Sequence, residues 1–467
     1  MRKTKIIATL GPASSKAKKI GKLMDMGMNI VRLNMSHAPH DWVREVVATV
    51  REQAASRGME VGILLDTQGP EIRTGNLPSD LNLKPGEKFT FTVRGEQSEE
   101  EHSVDVNYEN FINDISVGDV ILVDSGEIHM KVLEKYDNKV DCEILTPGTL
   151  GSRRHINLPG VKVSLPPVTE KDRKDIELGI ELGVDFIALS FVREAADILL
   201  LKGLLVGHQH QPAIIAKIED QQAVKNFDEI VAVADGIMVA RGDLGIECPY
   251  EELPIIQRRL VKTCLTLGRP VIVATHMLES MIESPMPTRA EITDVANAVF
   301  EETDAIMLSG ESAVGQYPVK CIEVLDRIAR RTERSGGADY HKLAVFQGPR
   351  EKLANSAVVL ADQLKADAVL LFTNTGTMAR YVSWQRPRYS PIYAACSDGK
   401  VAASLTLNWG VKPFQMDFDE GHPETTIDRA LKKLVAEGKL EKGNSIIIIT
   451  GIKKGDQVVG AILSRVV

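Results

Sequence analysis

The chain has 467 residues, 43% hydrophobic, 26% charged and 5% aromatic, with a formal net charge of −8. This balance supports a large buried core and about three domains, while the acidic surplus argues against nucleic acid or an anionic membrane surface as the main partner, since both need clustered Lys and Arg. Five scattered cysteines (Cys142, Cys248, Cys264, Cys321, Cys396) form no CxxC pair and read as packed thiols of a reducing compartment.

The opening "MRKTKIIATLGP" carries signal-like charges, but its apolar run stops at Gly-Pro. No stretch reaches the roughly 18 apolar residues of a membrane span, so the expected location is the cytoplasm. Eight short apolar runs then recur with amphipathic helical stretches between them: "TKIIATL", "MNIVRLN", "VGILLDT", "DFIALSF", "AIIAKIE", "GIMVARG", "PVIVATH" and "AIMLSGE". Such runs alternating with helices predict a parallel sheet covered on both faces, and eight βα units predict a closed (β/α)8 TIM barrel over residues 1–70 and 168–335.

Residues 71–167 interrupt that rhythm before a helix starting near Thr169. The runs "EKFTFTV", "GDVILVD", "EIHMKVLE" and "KVDCEIL" alternate partially and are separated by turn residues, which predicts an inserted small antiparallel β-barrel lid over the barrel mouth. After "RSGGADYHK", read as a flexible link, the runs "DAVLLFT", "SPIYAAC", "VKPFQM" and "NSIIIIT" predict a C-terminal α/β open-sheet domain over residues 336–467.

Groups at the C-terminal ends of barrel strands face the mouth where such folds carry chemistry. The second strand ends with Arg32, Asn34 and Ser36, the third with Asp66 and Thr67, the fourth with Ser190 and the fifth with Lys217 and Glu219. Arg241 and Asp243 end the sixth, Thr275 the seventh, and Ser309 and Glu311 the eighth. Lys217 and Glu219, two apart on a strand, share one face. A structural ion pair would account for them; the added Asp243 leaves a negative excess that asks for a divalent cation, Mg²⁺ or Mn²⁺. Arg32 and Arg73 suit phosphate or carboxylate recognition, with surface salt bridges as the alternative. Asn34, Ser36, Asp66 and Thr67 form an oxygen cluster suited either to a monovalent cation or to hydrogen-bonding of strand ends.

Across the whole chain "IVRLNMSH", "LLDTQGPEIRTG", "NLPG", "AKIED", "MVARGDLG", "ATHMLESM", "PTRAE" and "MLSGES" occur in an order that resembles the pyruvate kinase family, of bacterial type. The resemblance implies transfer of phosphate from phosphoenolpyruvate to ADP, giving pyruvate and ATP. It implies Glu219 and Asp243 as Mg²⁺ ligands, Lys217 as the cation that steadies the phosphoryl group and the enolate, and Arg32 as a catalytic residue that contacts the substrate and its phosphate. Thr275 is implied in protonation of the enolate; a hydroxyl is a poor acid, so its expected role is to position a water. Gly242 and Asp243 match backbone contacts to the substrate carboxylate. Asn34, His37, Arg73 and Arg154 match nucleotide and phosphate contacts, and Asn34, Ser36, Asp66 and Thr67 match K⁺ ligands. The family is usually a homotetramer.

Three departures stand out. Arg154 occupies a usual lysine position. His276 replaces a usual glutamine, which suggests a pH-responsive proton relay. Gln68 replaces a common lysine, a change associated with potassium-independent members, while Glu71 and Thr67 look like potassium-dependent members; K⁺ dependence is the expectation. Near the C-terminus, Thr373, Asn374, Thr375, Gly376 and Thr377 run from a strand into a helix and resemble the loop that holds an effector phosphate, from a sugar phosphate or AMP; N-capping is the plainer alternative. The last loop, "GIKKGDQVVGAIL", lacks the family's Gly-Thr-Thr-Asn run. His208 and His210 read as a solvated pair. A metal-dependent aldolase and a silent metabolite sensor are the rival readings; the first needs no lid, and the second would be free to lose Lys217, Glu219, Asp243 and Thr275.

Overall fold

The computed structural model of the chain describes residues 1–93, 102–419, 421–454 and 457–467. The eight apolar runs form one closed parallel barrel of strands Lys5–Thr9, Ile30–Asn34, Gly62–Asp66, Phe186–Leu189, Ala213–Ile218, Gly236–Ala240, Val271–Ala274 and Ala305–Leu308. They neighbour each other in chain order, and Lys5 pairs with Ala305 to close the ring.

Alternation along each strand divides the core in two. Ile7, Ile30, Leu64, Ile215, Met238, Ile272 and Met307 fill the interior, while Ile6, Val31, Ile63, Ile214, Ile237 and Val273 pack outward against the helices. Leu407, from the C-terminal domain, belongs to the interior cluster and plugs the barrel floor. A Cβ on Gly62 would stand 2.3 Å from Thr406 Oγ1, so this close approach requires glycine.

Helix ends carry local capping signals. Thr169 caps helix Glu170–Leu182 in a capping box with Asp172, and Gly183 ends it in a left-handed conformation. The "PTRAE" stretch is the same device, Thr288 and Glu291 capping helix Arg289–Phe300. Glu291 also accepts from the Ser280 backbone and hydroxyl at 2.7 and 2.6 Å, tying the loop after the seventh strand to the next helix.

The insertion builds a seven-stranded sheet and a two-stranded one. The four expected strands appear as Lys88–Val93, Val120–Val123, Ile128–Lys135 and Lys139–Ile144. The short strands Ile72–Arg73, Leu81–Leu83, Ser103–Val106, Gly148–Leu150 and His155–Asn157 were not expected. One pair, Lys88–Val93 with Ser103–Val106, is parallel, against the expected all-antiparallel pattern. The sheet curls so that its edges meet through Gly75 N to Asp105 O at 2.8 Å and Asn107 N to Arg73 O at 3.1 Å.

The link expected to be flexible is tied to the barrel. Ala338 N donates to Phe300 O at 2.8 Å and Asp339 N to Glu302 Oε2 at 2.9 Å. Beyond it four parallel strands, Val411–Gln415, Ile392–Cys396, Ala368–Thr373 and Ser445–Lys454, form a sheet in that order. A fifth, antiparallel strand, Gln457–Val466, occupies the region read as a loop; Gly455 and Asp456 of that stretch lie outside the described residues. The two domains join through a buried ion pair, Arg386 to Asp304 at 2.8 Å, and Asp304 also accepts from Trp409 N at 3.1 Å. All five cysteines are buried free thiols. No helix among the described residues is long and apolar enough to cross a membrane.

Candidate active site

The charged residues at the strand ends converge. Lys217 Nζ lies 2.8 Å from Glu219 Oε1, 3.2 Å from Asp66 Oδ1 and 2.7 Å from Ser190 Oγ. Asp66 is completely buried and uses its other oxygen to accept from Arg32 Nε at 2.6 Å. Arg32 also donates to Thr9 Oγ1 at 2.9 Å. The ends of the first five barrel strands thus hold two cations around the Asp66 carboxylate. Burial alone would raise the Asp66 carboxyl, but Lys217 and Arg32 outweigh it and hold Asp66 below the ordinary carboxylate range. Burial likewise opposes the charge on Lys217; Asp66, Glu219 and Asp243 overcome it and push the ammonium above the ordinary lysine range.

Glu219 differs. It accepts from Phe191 N at 2.6 Å as well as from Lys217, yet burial first and the nearby charge of Asp243 push its carboxyl upward. Phe191 holds that amide in place with φ 52, a left-handed backbone unusual for a large side chain. Asp243 is placed in the first turn of helix Arg241–Glu247, one element beyond the strand end where the sequence put it.

The seventh strand ends in two consecutive left-handed residues, Thr275 (φ 68) and His276 (φ 54). Such strain in a β-branched residue requires support, and Arg241 supplies it by donating to Thr275 O at 2.6 Å while pairing with Asp294 at 2.6 Å. The Thr275 hydroxyl then lies against the next turn, where Gly242 N donates to its Oγ1 at 2.6 Å. His276 turns outward, its Nε2 3.6 Å from Glu279, with both side chains exposed.

Arg73, at the start of the insertion, bonds Glu71 at 2.7 Å, and Gln68 reaches the same carboxylate at 3.2 Å. Arg154 is exposed and 3.3 Å from Asp124. His37 is exposed beside Asn34, whose Oδ1 accepts from Ser36 N at 3.2 Å. Thr67 O accepts from Ser190 Oγ at 2.6 Å. The Asn34–Ser36 segment and the Asp66–Thr67 pair lie side by side, since Asn34 pairs with Asp66 in the sheet.

Sequence reading missed Thr9, although it ends the first strand as Arg32 lies near the end of the second, and it missed His155. That half-buried ring lies 6.1 Å from Phe191, and desolvation holds it below the ordinary histidine range. His210 is not a solvated partner of His208: its Nε2 lies 2.6 Å from Val184 O.

In the C-terminal domain Thr373 Oγ1 accepts from Gly376 N at 2.9 Å, and Thr375 and Thr377 hydroxyls meet at 3.0 Å. With Asn374, Arg350 and Thr450 they line a cleft of about 770 Å³. Gly376 has φ 79, the left-handed turn its position requires.

A closed barrel with a lysine and an arginine fixed beside paired acids at its C-terminal mouth defines an enzyme that stabilises anionic charge on a small substrate. The comparisons with known proteins narrow the class. The pyruvate kinase barrel domain matches residues 1–322 and the pyruvate kinase alpha/beta domain residues 351–460. A pyruvate kinase of Geobacillus stearothermophilus is 43% identical over 97% of this chain and 78% of its own length. Plastidial pyruvate kinase 2 of Arabidopsis thaliana is 42% identical over 96% and 78%. The crystal structure of a pyruvate kinase from Cryptosporidium parvum superposes with a TM-score of 0.93 at 36% identity, covering 99% of this chain and 96% of that one. The chain belongs to the pyruvate kinase family, and its reaction is phosphoryl transfer from phosphoenolpyruvate to ADP.

Proposed function

We propose that Lys217 is the central cation of this reaction, facing the transferring phosphoryl group and the enolate oxygen left behind, with Arg32 adding a second positive charge. The observation that carries this reading is the placement of Lys217 between Asp66 and Glu219: a charged ammonium is fixed at the mouth before substrate arrives, so little reorganisation is needed when negative charge develops.

Glu219 and Asp243 fit a divalent ion. Their hard oxygens suit Mg²⁺ or Mn²⁺, and because burial first and the charge of Asp243 second push the Glu219 carboxyl upward, a cation there would favour its ionised form. Such an ion supplies electrophilic charge at the phosphoryl oxygens. Thr275 positions a water for protonation of the enolate, and Gly242 and Asp243 contact the substrate carboxylate. Asn34, His37, Arg73 and Arg154 bind the nucleotide and its phosphates. For K⁺, the oxygens of Asn34, Ser36, Asp66 and Thr67 come from adjacent strand ends and include one carboxylate that Arg32 and Lys217 keep ionised.

Thr373, Asn374, Thr375, Gly376 and Thr377 receive the phosphate of a sugar-phosphate or AMP effector, in a cytoplasmic homotetramer. The test of the catalytic reading is pyruvate formation with each cation withdrawn in turn. Loss of activity without Mg²⁺ and without K⁺ supports both sites; full activity in potassium-free buffer removes the K⁺ assignment. A titration of sugar monophosphates, fructose 1,6-bisphosphate and AMP that leaves the substrate curve unmoved removes the effector.

A further inference from the structure

Helix Arg241–Glu247 carries Gly242 and Asp243 in its first turn and ends on the buried Glu247. The facing residue comes from the inserted domain: Asn157 closes the strand His155–Asn157, and its Nδ2 donates to Glu247 Oε1 at 2.8 Å. Both residues are withdrawn from water, at 5% and 9% exposure. The amide oxygen of Asn157 is buried with no partner. Gln221, two residues beyond Glu219, donates its side-chain amide to the Glu247 carbonyl. A second part of the insertion rests on the same helix end, since a Cβ on Gly126 would stand 3.1 Å from Ile246 Cγ2.

We propose that Asn157 and Glu247 form a latch through which seating of the inserted domain sets the position of the Gly242–Asp243 turn, and with it the barrel mouth. Both act as positioning residues, and the inference rests on the reading of Asp243 given above. An unfilled buried acceptor is costly, and the partner that best relieves it both accepts from the amide nitrogen and donates to the amide oxygen. A protonated carboxyl does both. Burial, with the charges of Asp220 and Asp243, raises Glu247 to about 7 against the opposing Asn157 hydrogen bond. Besides Asp220 and Glu247, the charged or titratable groups lining the same cleft are His155, Lys162, Arg193, Glu194, Glu219 and Lys225.

The two-point pair separates the latch from a merely structural contact, because a carboxamide at position 247 reproduces it without a titrating proton. Glu247→Gln, Glu247→Ala and Asn157→Ala are compared by kcat, by KM for phosphoenolpyruvate and ADP separately, and by hydrogen exchange of segments 155–158 and 241–247 in the whole protein. Both alanine variants are expected to lose about tenfold in kcat/KM for phosphoenolpyruvate, the size of one buried hydrogen bond. Exchange is expected to rise in both segments together, and Glu247→Gln to retain wild-type values. Alanine variants that unfold more readily but keep wild-type kinetics and wild-type exchange in 241–247 overturn the latch. If Glu247→Ala does not fold, Asn157→Ala and Glu247→Gln carry the comparison. Asp243→Asn serves as the control for the underlying reading: full activity in that variant rejects the role of Asp243, while the exchange data still judge the latch.

Discussion

Lys217 and Asp66 stand on different barrel strands, 151 positions apart in number, yet their charged atoms meet at 3.2 Å in a place almost closed to water. Asp66 also holds Arg32, so one carboxylate orients both cations of the mouth. Asp66→Asn should therefore cost more than a single contact. Removing one partner of a buried pair destabilises by roughly 3–5 kcal/mol, and the loosened cations should lower kcat by about a hundredfold. Urea unfolding and steady-state kinetics on the same preparation check both. A variant with normal kcat would mean that Lys217 and Arg32 are held by other groups.

Among the described residues, the interdomain ion pair of Arg386 and Asp304 is as buried as any, with Arg386 lying 5.1 Å over the Trp409 ring. Arg386→Met leaves Asp304 without its cation and should destabilise the protein by about 3 kcal/mol or more. Chemical denaturation should show the C-terminal sheet separating from the barrel at lower denaturant than in wild type. A single unshifted transition contradicts this.

Glu247 also predicts a pH dependence of stability. Its carboxyl is raised to about 7 from an ordinary value of 4.5. Between those values the native state holds a proton that the unfolded state has lost, so this group's contribution falls as pH rises across that window and the loss is complete above about 7. Glu247→Gln removes the titration. Its melting temperature should gain on wild type as pH increases from about 5 to 7.5, and parallel melting curves across that range contradict the assignment.

His276 faces Glu279 and solvent, while the Thr275 hydroxyl faces Gly242. If His276 takes part in a proton relay, His276→Gln changes the pH–rate profile for pyruvate formation. An unchanged profile limits the relay to Thr275 and water.

The parallel barrel was legible in the sequence because strands buried on both faces are written as unbroken apolar runs, as in Ile63 to Leu65 or Ile214 to Ala216. Two- and three-residue strands such as Ile72–Arg73 and His155–Asn157 carry no pattern long enough to register, and they exist only because a partner strand is already there. Gln457–Val466 was read as a loop for a related reason. It is an edge strand, and from Gly460 onward its residues are half-buried or exposed, so packing wrote little into it. At the site, Lys217 and Glu219 declared themselves by their spacing, as did the strand-end rule for Arg32 and Asp66. The Asn157–Glu247 contact joins residues of two domains and left no local sign. Likewise "RSGGADYHK" looked loose by composition, whereas Glu302 of the barrel holds its backbone.

The most direct test is pyruvate formation from phosphoenolpyruvate and ADP by Lys217→Met beside wild type, with saturating Mg²⁺ and K⁺ and with folding verified by circular dichroism. The account predicts an active wild type and a folded variant at least about a hundredfold slower in kcat. A folded Lys217→Met with wild-type kcat would contradict the placement of Lys217 at the centre of the reaction.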